Sequence, residues 1–313
     1  MSLLTHSTTL EIYSFISHPC VNVSNENRHH QRLHSFLLSP FAYSFQALVL
    51  FYSANRTVAL KNMVIQPKEA KGRLLSEIDS SCALVSLILA NNETGVLQPL
   101  DEIAAIAHEG GALLHVDAAQ IGGRLPAPAA WDLLSISGHK AGGLKGAGAL
   151  LCRPGISLAP QLLGGPQERG QRAGTVDVPA VVGLAEALSL SWNSARLGDL
   201  RDDLESFAVS RGAFVYGQGA PRLPNTSLLC FEGVEGQTLA LALDLEGVCV
   251  STGSACASGA SEPSAVLAAM GWDPRSGLRF SLGWSTTQEE IEATKAALET
   301  VLSRIEATVA VAL

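Results

Sequence analysis

Lys140 closes the apolar run "DLLSISGHK" (132–140) and is followed by "AGGLKGAGA". An amine there stands at the end of a strand among glycines that leave room for a ligand. A lysine in a dry cleft has a depressed pKa and can form a Schiff base with an aldehyde. Taken alone, a lysine in this position is more commonly a solvated surface charge. Asp117 closes a second apolar run, "LLHVD", where its ordinary role is to cap the "AAQIGG" segment that follows. The pair changes the weighing. An aspartate at one strand end and a lysine at another, with Ser137 and His139 beside the lysine, are the parts that pyridoxal 5'-phosphate (PLP) requires. The aspartate keeps the pyridine nitrogen protonated, and the lysine holds the aldehyde carbon. Hydroxyls and backbone N–H groups at strand-to-helix turns receive the phosphate.

A third reactive group is Cys256, in "STGSACASGASEPS" (251–264), a stretch of small residues without apolar periodicity. It is either a thiol exposed to do chemistry or a small residue in a turn. The other cysteines read differently. Cys82, Cys152, Cys230 and Cys249 lie in or beside apolar runs and are expected as small core residues. No C-x-x-C pair and no zinc-type Cys/His spacing occurs. A disulfide framework is not expected in so large a chain, which leaves reduced cytosolic thiols and a cytoplasmic location as the expectation.

These residues need a scaffold, and the text beyond residue 60 supplies one. "CALVSLILA" (82–90) is a short apolar run of the kind a buried strand shows. "PLDEIAAIAHEGG" (99–111) reads as a helix with acids in its first turn, Leu100, Ile103 and Ile106 on one face, and two glycines to stop it. "ALLHVDAAQ", "DLLSISGHK" and "GAGALLC" follow as strands. This alternation predicts an α/β fold with a largely parallel sheet and crossover helices. Ligands in such sheets lie beyond the carboxyl ends of the strands, where Asn92, Asp117 with Gln120, and Ser137-Gly138-His139-Lys140 fall. Residues 178–193 read as a helix leading into a smaller α+β region. That region closes with a helix announced by the capping signature Thr287-x-x-Glu290. Composition agrees. The 313 residues have room for a large core, hydrophobic residues make up 47% against 16% charged, and glycine is abundant at 29, which suits buried sheets with tight turns. A net charge of −8 argues against a nucleic-acid partner, since no Lys/Arg cluster could neutralise its phosphates.

Six motifs in order, "NNETG", "HVDAAQ", "SGHK", "GGPQERGQRAGT", "STGSACASGASEPS" and "LRFSLG", resemble the class V aminotransferase superfamily, and within it the cysteine desulfurases with a long cysteine-bearing loop. The resemblance runs from about residue 60 to the C-terminus. It implies the type I fold of PLP-dependent transferases and an enzyme that converts L-cysteine to L-alanine, leaving the sulfur on Cys256 as a persulfide. It further implies that Lys140 is the Schiff-base lysine and base, and that Asp117 faces the ring nitrogen. Gln120 and Asn92 would lie near the cofactor's 3-hydroxyl and the substrate. Ser137, Gly138 and His139 would bind the phosphate, with Thr175 reaching it from the other subunit of a homodimer. Arg279 would pair with the substrate α-carboxylate, a task suited to a guanidinium fork. The implied partner is a sulfur-acceptor protein, an iron–sulfur scaffold or a tRNA-thiolation protein. No intrinsic metal site is implied, Cys256 being at most a transient iron–sulfur ligand. The alternatives within the superfamily are a selenocysteine lyase or another class V aminotransferase.

The opening segment has another texture. All 29 glycines lie beyond Lys71, so residues 1–60 cannot hold the Gly-rich phosphate turn of the resembled family. His18 of "ISHPC" stands too far from Asn92 to be that family's ring-stacking histidine. "SFLLSPFAYSFQALVLFYSA" (35–54) is uncharged over about one membrane-span length, but Pro40, its serines and Gln46 argue against a span. The expectations are therefore an atypical segment over 1–60 standing where the start of the cofactor domain is truncated or replaced, the rest of that domain over 61–193, and a small domain over 194–313 carrying Cys256. Loss of the phosphate turn and the histidine predicts weak PLP binding; the non-enzymatic alternative is a catalytically impaired remnant of the family.

Overall fold

A computed structural model of the chain describes residues 11–14, 56–60, 78, 82–253 and 263–312, with side chains placed for residue 78 and over 82–253 and 263–307. The 35–54 stretch, His18 and Cys256 lie outside the described residues.

Two sheets organise the described chain. The first has six strands, β1 (Glu11–Ser14), β2 (Arg56–Leu60), β3 (Cys82–Ile88), β4 (Leu113–Asp117), β5 (Leu133–Ser137) and β6 (Gly148–Cys152), in the spatial order β1-β6-β5-β4-β3-β2. Strands β3 to β5 pair in parallel, as the sequence predicts, and β2, for which the sequence reading assigned no strand, adds a further parallel neighbour to β3. Strand β6 instead returns antiparallel against β5, with β1 antiparallel on its far side. The tight turn after Lys140 reverses the chain over seven residues, too few for the crossover that a parallel neighbour requires.

Among the described residues one crossover helix, α1 (Leu100–Glu109), joins β3 to β4. Ile103 and Ile106 bury against Val85, Leu87, Leu114 and Val116, and Leu100 packs at the edge of the same cluster. That is the outcome of an i, i+3, i+6 apolar face laid on one side of a pleated sheet. The connection from β4 to β5 contains turns rather than a helix. A second helix, α2 (Val178–Ser189), covers β6 and β5 through Ala180 and Leu184. It stops four residues before the expected end, because Leu190 is extended and Asn193 caps a new helix, accepting from the amide of Arg196.

That new helix, α3 (Ser194–Ser210), packs on the second sheet, formed by β7 (Ala213–Val215), β8 (Thr226–Phe231), β9 (Ser251–Thr252) and β10 (Leu278–Ser281) in the order β7-β8-β10-β9, all antiparallel. Helices α4 (Gly236–Leu245), α5 (Ala265–Ala269) and α6 (Gln288–Ala312) complete this part. The cluster of Leu204, Ala208, Leu229, Leu239, Leu243, Leu278, Leu298 and Val301 shows why these elements condense together. Helix α6 begins where the sequence places it: the Thr287 amide donates to Glu290 Oε2 at 2.8 Å and the Glu290 amide to Thr287 Oγ1 at 3.2 Å, a reciprocal capping box.

The cysteine expectations divide. Cys82 and Cys152 are buried and Cys230 is half-buried, but Cys249 is exposed. In "VCV" the flanking Val248 and Val250 turn toward the core, and alternation along an extended chain turns the residue between them to solvent.

The two sheets meet along residues 89–97 and 221–223. The Leu97 amide donates to the Pro221 carbonyl and the Leu223 amide to the Gly95 carbonyl, both at 2.8 Å. Beside this seam, Arg222 makes a bidentate pair with Glu205 of α3 at 2.7 and 2.8 Å. Among the described residues no helix is long and apolar enough to cross a membrane, and no group of three or more His, Cys, Asp or Glu is arranged to hold a metal ion.

Candidate active site at the strand ends

The parallel strands β3, β4 and β5 finish side by side. Ile88 is in register with Asp117, and Asp117 with Ser135, so the segment beginning at Asn91, the Asp117 turn and the Ser137–Lys140 turn leave the sheet from one edge. The last two turns also touch. A Cβ on Gly122 would lie 2.8 Å from the Cβ of Ala141, so glycine at 122 is what lets the chain after Asp117 pack on the chain after Lys140. The Lys140 turn is backed by α2, where Gly143 faces the Gly183 carbonyl and Ala187. It is fronted by Trp284, which would meet a Cβ on Gly142 at 2.7 Å.

Asp117 is half-buried. Its Oδ1 accepts the Ala119 amide at 2.9 Å, so the capping role read from the sequence is present, though it caps a turn and not a helix. Burial pushes its carboxyl pKa up, and the Ala119 amide partly offsets this. Among the described residues no basic side chain opposes the shift. Gly138–Lys140 form a 3-10 turn with Gly138 buried, Lys140 half-buried and His139 exposed. Ser137 Oγ and His139 Nδ1 are 3.0 Å apart. His139 is held below the usual histidine range, first by burial and then by the positive charges of Lys140 and Lys145. The charges of Lys140 and Lys145 make this turn electropositive, and with the Ser137 hydroxyl and the His139 ring beside them it suits an anion.

Gln120 is half-buried, and its carbonyl accepts Arg124 Nη1 at 2.9 Å. The Arg124 guanidinium lies 4.3 Å from the centre of the Trp192 ring. Burial lowers its pKa to about 10. From the second sheet, Arg279 on β10 reaches across to donate from Nη1 to the Asn92 carbonyl at 2.7 Å. The structure thus joins Asn92 and Arg279, which are far apart in sequence. Thr175 is exposed, three residues ahead of the first residue of α2.

Sequence reading missed Asn91, Glu93 and His115. Asn91 Oδ1 accepts from the Glu93 and Thr94 amides and from the Thr94 hydroxyl, and so builds the turn that carries Asn92. Its signal was the Asn-x-x-Thr spacing of an Asx turn. Glu93 is buried, with Oε2 accepting the Ser264 hydroxyl at 2.5 Å. His115 is buried between Ser86 and Ser135.

The sequence profile of the family described as aminotransferase class-V matches residues 56–294. The chain belongs to that family. Among its curated relatives, a cysteine desulfurase of Cereibacter sphaeroides is 42% identical over 256 residues, 77% of this chain and 66% of the relative. The cysteine desulfurase NifS of Azotobacter vinelandii is 41% identical over 244 residues, 72% of this chain and 61% of the relative. A NifS-like protein from Rickettsia africae has a solved structure that superposes with a TM-score of 0.68 at 32% identity, covering 76% of this chain and 67% of the other. The chain spans less than two thirds of the length of the curated relatives it matches.

Class-V aminotransferases use PLP, and the residues at this edge fit it. A carboxylate largely desolvated and, among the described residues, opposed by no basic side chain suits a protonated ring nitrogen. The electropositive turn of Ser137, Gly138 and His139 suits a phosphate, and Lys140 leads out of that same turn.

Proposed function

We propose that the protein is a PLP-dependent cysteine desulfurase that takes sulfur from L-cysteine onto Cys256, in the cytoplasm, for a sulfur-acceptor protein of iron–sulfur assembly or tRNA thiolation. One observation carries the reading. The Asp117 turn and the Lys140 turn pack against each other at the edge of the sheet to which Arg279 is tied through Asn92. The kinship with cysteine desulfurases at 41–42% identity supports the choice of substrate.

When bound, PLP supplies an electron sink next to the substrate Cα. The protein does the rest. Asp117 keeps the ring nitrogen protonated, and its own desolvation strengthens that ion pair. Ser137, Gly138 and His139 hold the phosphate, with Thr175 contributing from the second subunit of a homodimer. Asn92 and Gln120 line the 3-hydroxyl and substrate side, Gln120 being steadied through Arg124 and Trp192. Arg279 orients the α-carboxylate of cysteine. Lys140 would hold the cofactor's aldehyde carbon and would serve as the base that takes the proton from Cα and returns it.

Sulfur transfer then balances simply. The Cys256 thiolate forms an S–S bond to the substrate sulfur while the substrate Cβ–S bond breaks. The electron pair left on carbon takes up a proton, giving alanine, and Cys256 carries the persulfide.

Purified protein titrated with PLP should develop a visible absorbance band that Lys140→Ala abolishes, and should form alanine from L-cysteine. Cys256→Ser should stop persulfide formation. Protein that stays colourless in excess cofactor refutes the proposal. A cysteine-to-alanine rate unaffected by Cys256→Ser removes Cys256 from the mechanism, and a strong preference for selenocysteine reassigns the substrate.

A further inference from the structure

Glu93 is buried, at 6% exposure, in a protein where such a carboxylate needs a purpose, because an ionised group taken out of water is costly unless it is paired and hydrogen-bonded. Its main chain is fixed by the Asn91 side chain at 2.9 Å, and the turn around it is closed by the Gly95 amide on the Asn91 carbonyl and the Asn91 amide on the Val96 carbonyl, each at 2.9 Å. Glu93 therefore stands on a rigid base at the end of β3.

Three residues on or beside the second sheet converge on that carboxylate. Ser264, which is buried, donates its hydroxyl to Oε2 at 2.5 Å, the short length of a charge-assisted bond. The same Ser264 oxygen accepts the Leu267 amide at 3.0 Å as the cap of α5, and the Ser264 amide donates to the Pro274 carbonyl at 2.8 Å. Gly253, at the end of β9, lies so close that a Cβ there would run into Oε2. Arg279 is near enough to pull the Glu93 carboxyl pKa down against the upward push of burial, and it also holds the carbonyl of the neighbouring Asn92.

Gly253 and Ser264 lie on either side of Cys256 within the stretch 251–264. We propose that Glu93 is a positioning residue that anchors both stems of the Cys256 stretch, Gly253 by packing and Ser264 by hydrogen bond, to the strand end that also bears Asn92. Fixing both ends of a segment on one rigid point restricts where its middle can go and lowers the entropy of bringing it to a given place. The role given to Cys256 rests on the desulfurase reading, whereas the anchoring itself does not.

The test measures the thiol directly in protein without cofactor. Iodoacetamide alkylation is followed peptide by peptide, with exposed Cys249 as the internal reference. Glu93→Ala should change the Cys256-to-Cys249 rate ratio by about ten-fold, the change expected from losing one charge-assisted hydrogen bond. Glu93→Gln, which keeps an acceptor for Ser264 and the same shape, should recover most of the wild-type ratio. Gly253→Ala, which leaves Glu93 in place and drives a methyl into its carboxylate, should shift the ratio in the same direction as Glu93→Ala and keeps the test open should that variant fail to fold. A wild-type ratio in folded Glu93→Ala or in folded Gly253→Ala overturns the proposal, as does a global change in which Cys230 and Cys249 move with Cys256. Because no turnover is read, protein that behaves as expected here yet makes no alanine would retire the desulfurase reading and leave the anchor standing.

Discussion

Nδ1 of His115 lies 2.8 Å from Oγ of Ser86 on the neighbouring strand, and Nε2 of the same ring lies 3.1 Å from Oγ of Ser135 on the other side. The imidazole thus bridges β3, β4 and β5, two residues before Asp117. Burial pushes its pKa down to about 4, so the ring is neutral at physiological pH, as one nitrogen that donates and one that accepts require. The unfolded chain binds this proton with a pKa of about 6.5. Between about pH 6.5 and 4 the unfolded state therefore holds more protons, and stability falls as pH falls, by about 3 kcal/mol over the window. Urea titrations from pH 7.5 to 4.5 should show this loss, and His115→Gln should flatten that part of the profile.

Asp117→Asn keeps an oxygen for the Ala119 amide and removes the negative charge. PLP should still bind, and alanine formation should fall by at least about 100-fold, the scale of losing a group that controls a proton in the reaction. Absorbance reports the first and amino-acid analysis the second.

Gly122→Ala should be destabilising by about 1–3 kcal/mol, because the new methyl is forced onto Ala141 at the contact between the Asp117 turn and the Lys140 turn. Adding Ala141→Gly removes the opposing methyl and should restore most of the loss. A double-mutant cycle by denaturant titration measures the coupling, and additive effects would show that the turns do not press on each other.

Glu205→Ala leaves the Arg222 guanidinium buried without its bidentate partner, the two side chains being 8% and 11% exposed. The expected cost is about 3–5 kcal/mol. A double variant, Glu205→Leu with Arg222→Met, should recover much of it, since matched apolar residues carry no desolvation penalty. Thermal melts of the two variants and the wild type settle the comparison.

The local elements were legible because their signals are local. Apolar runs bounded by turns gave β3, β4 and β5, the apolar face over 100–106 gave α1, and Thr287 with Glu290 gave the start of α6. Ends and directions were less legible. Helix α2 stops at Ser189 because Asn193 competes for the next start, and β6 turns back antiparallel because the turn after Lys140 is short. Cys249 was misread because an apolar neighbourhood says nothing about which side of an extended chain faces water.

The sequence by itself determined which residues could do chemistry, a lysine and an aspartate at the ends of apolar strands, since strand period and turn composition are written in neighbouring residues. Tertiary structure alone decided what holds them. Ser264 reaches Glu93 across 171 positions, Arg279 reaches Asn92 across 187, and His115 finds a serine on each flanking strand. Contacts of that kind follow from strand order and from the packing of one sheet against another, and no local periodicity encodes either.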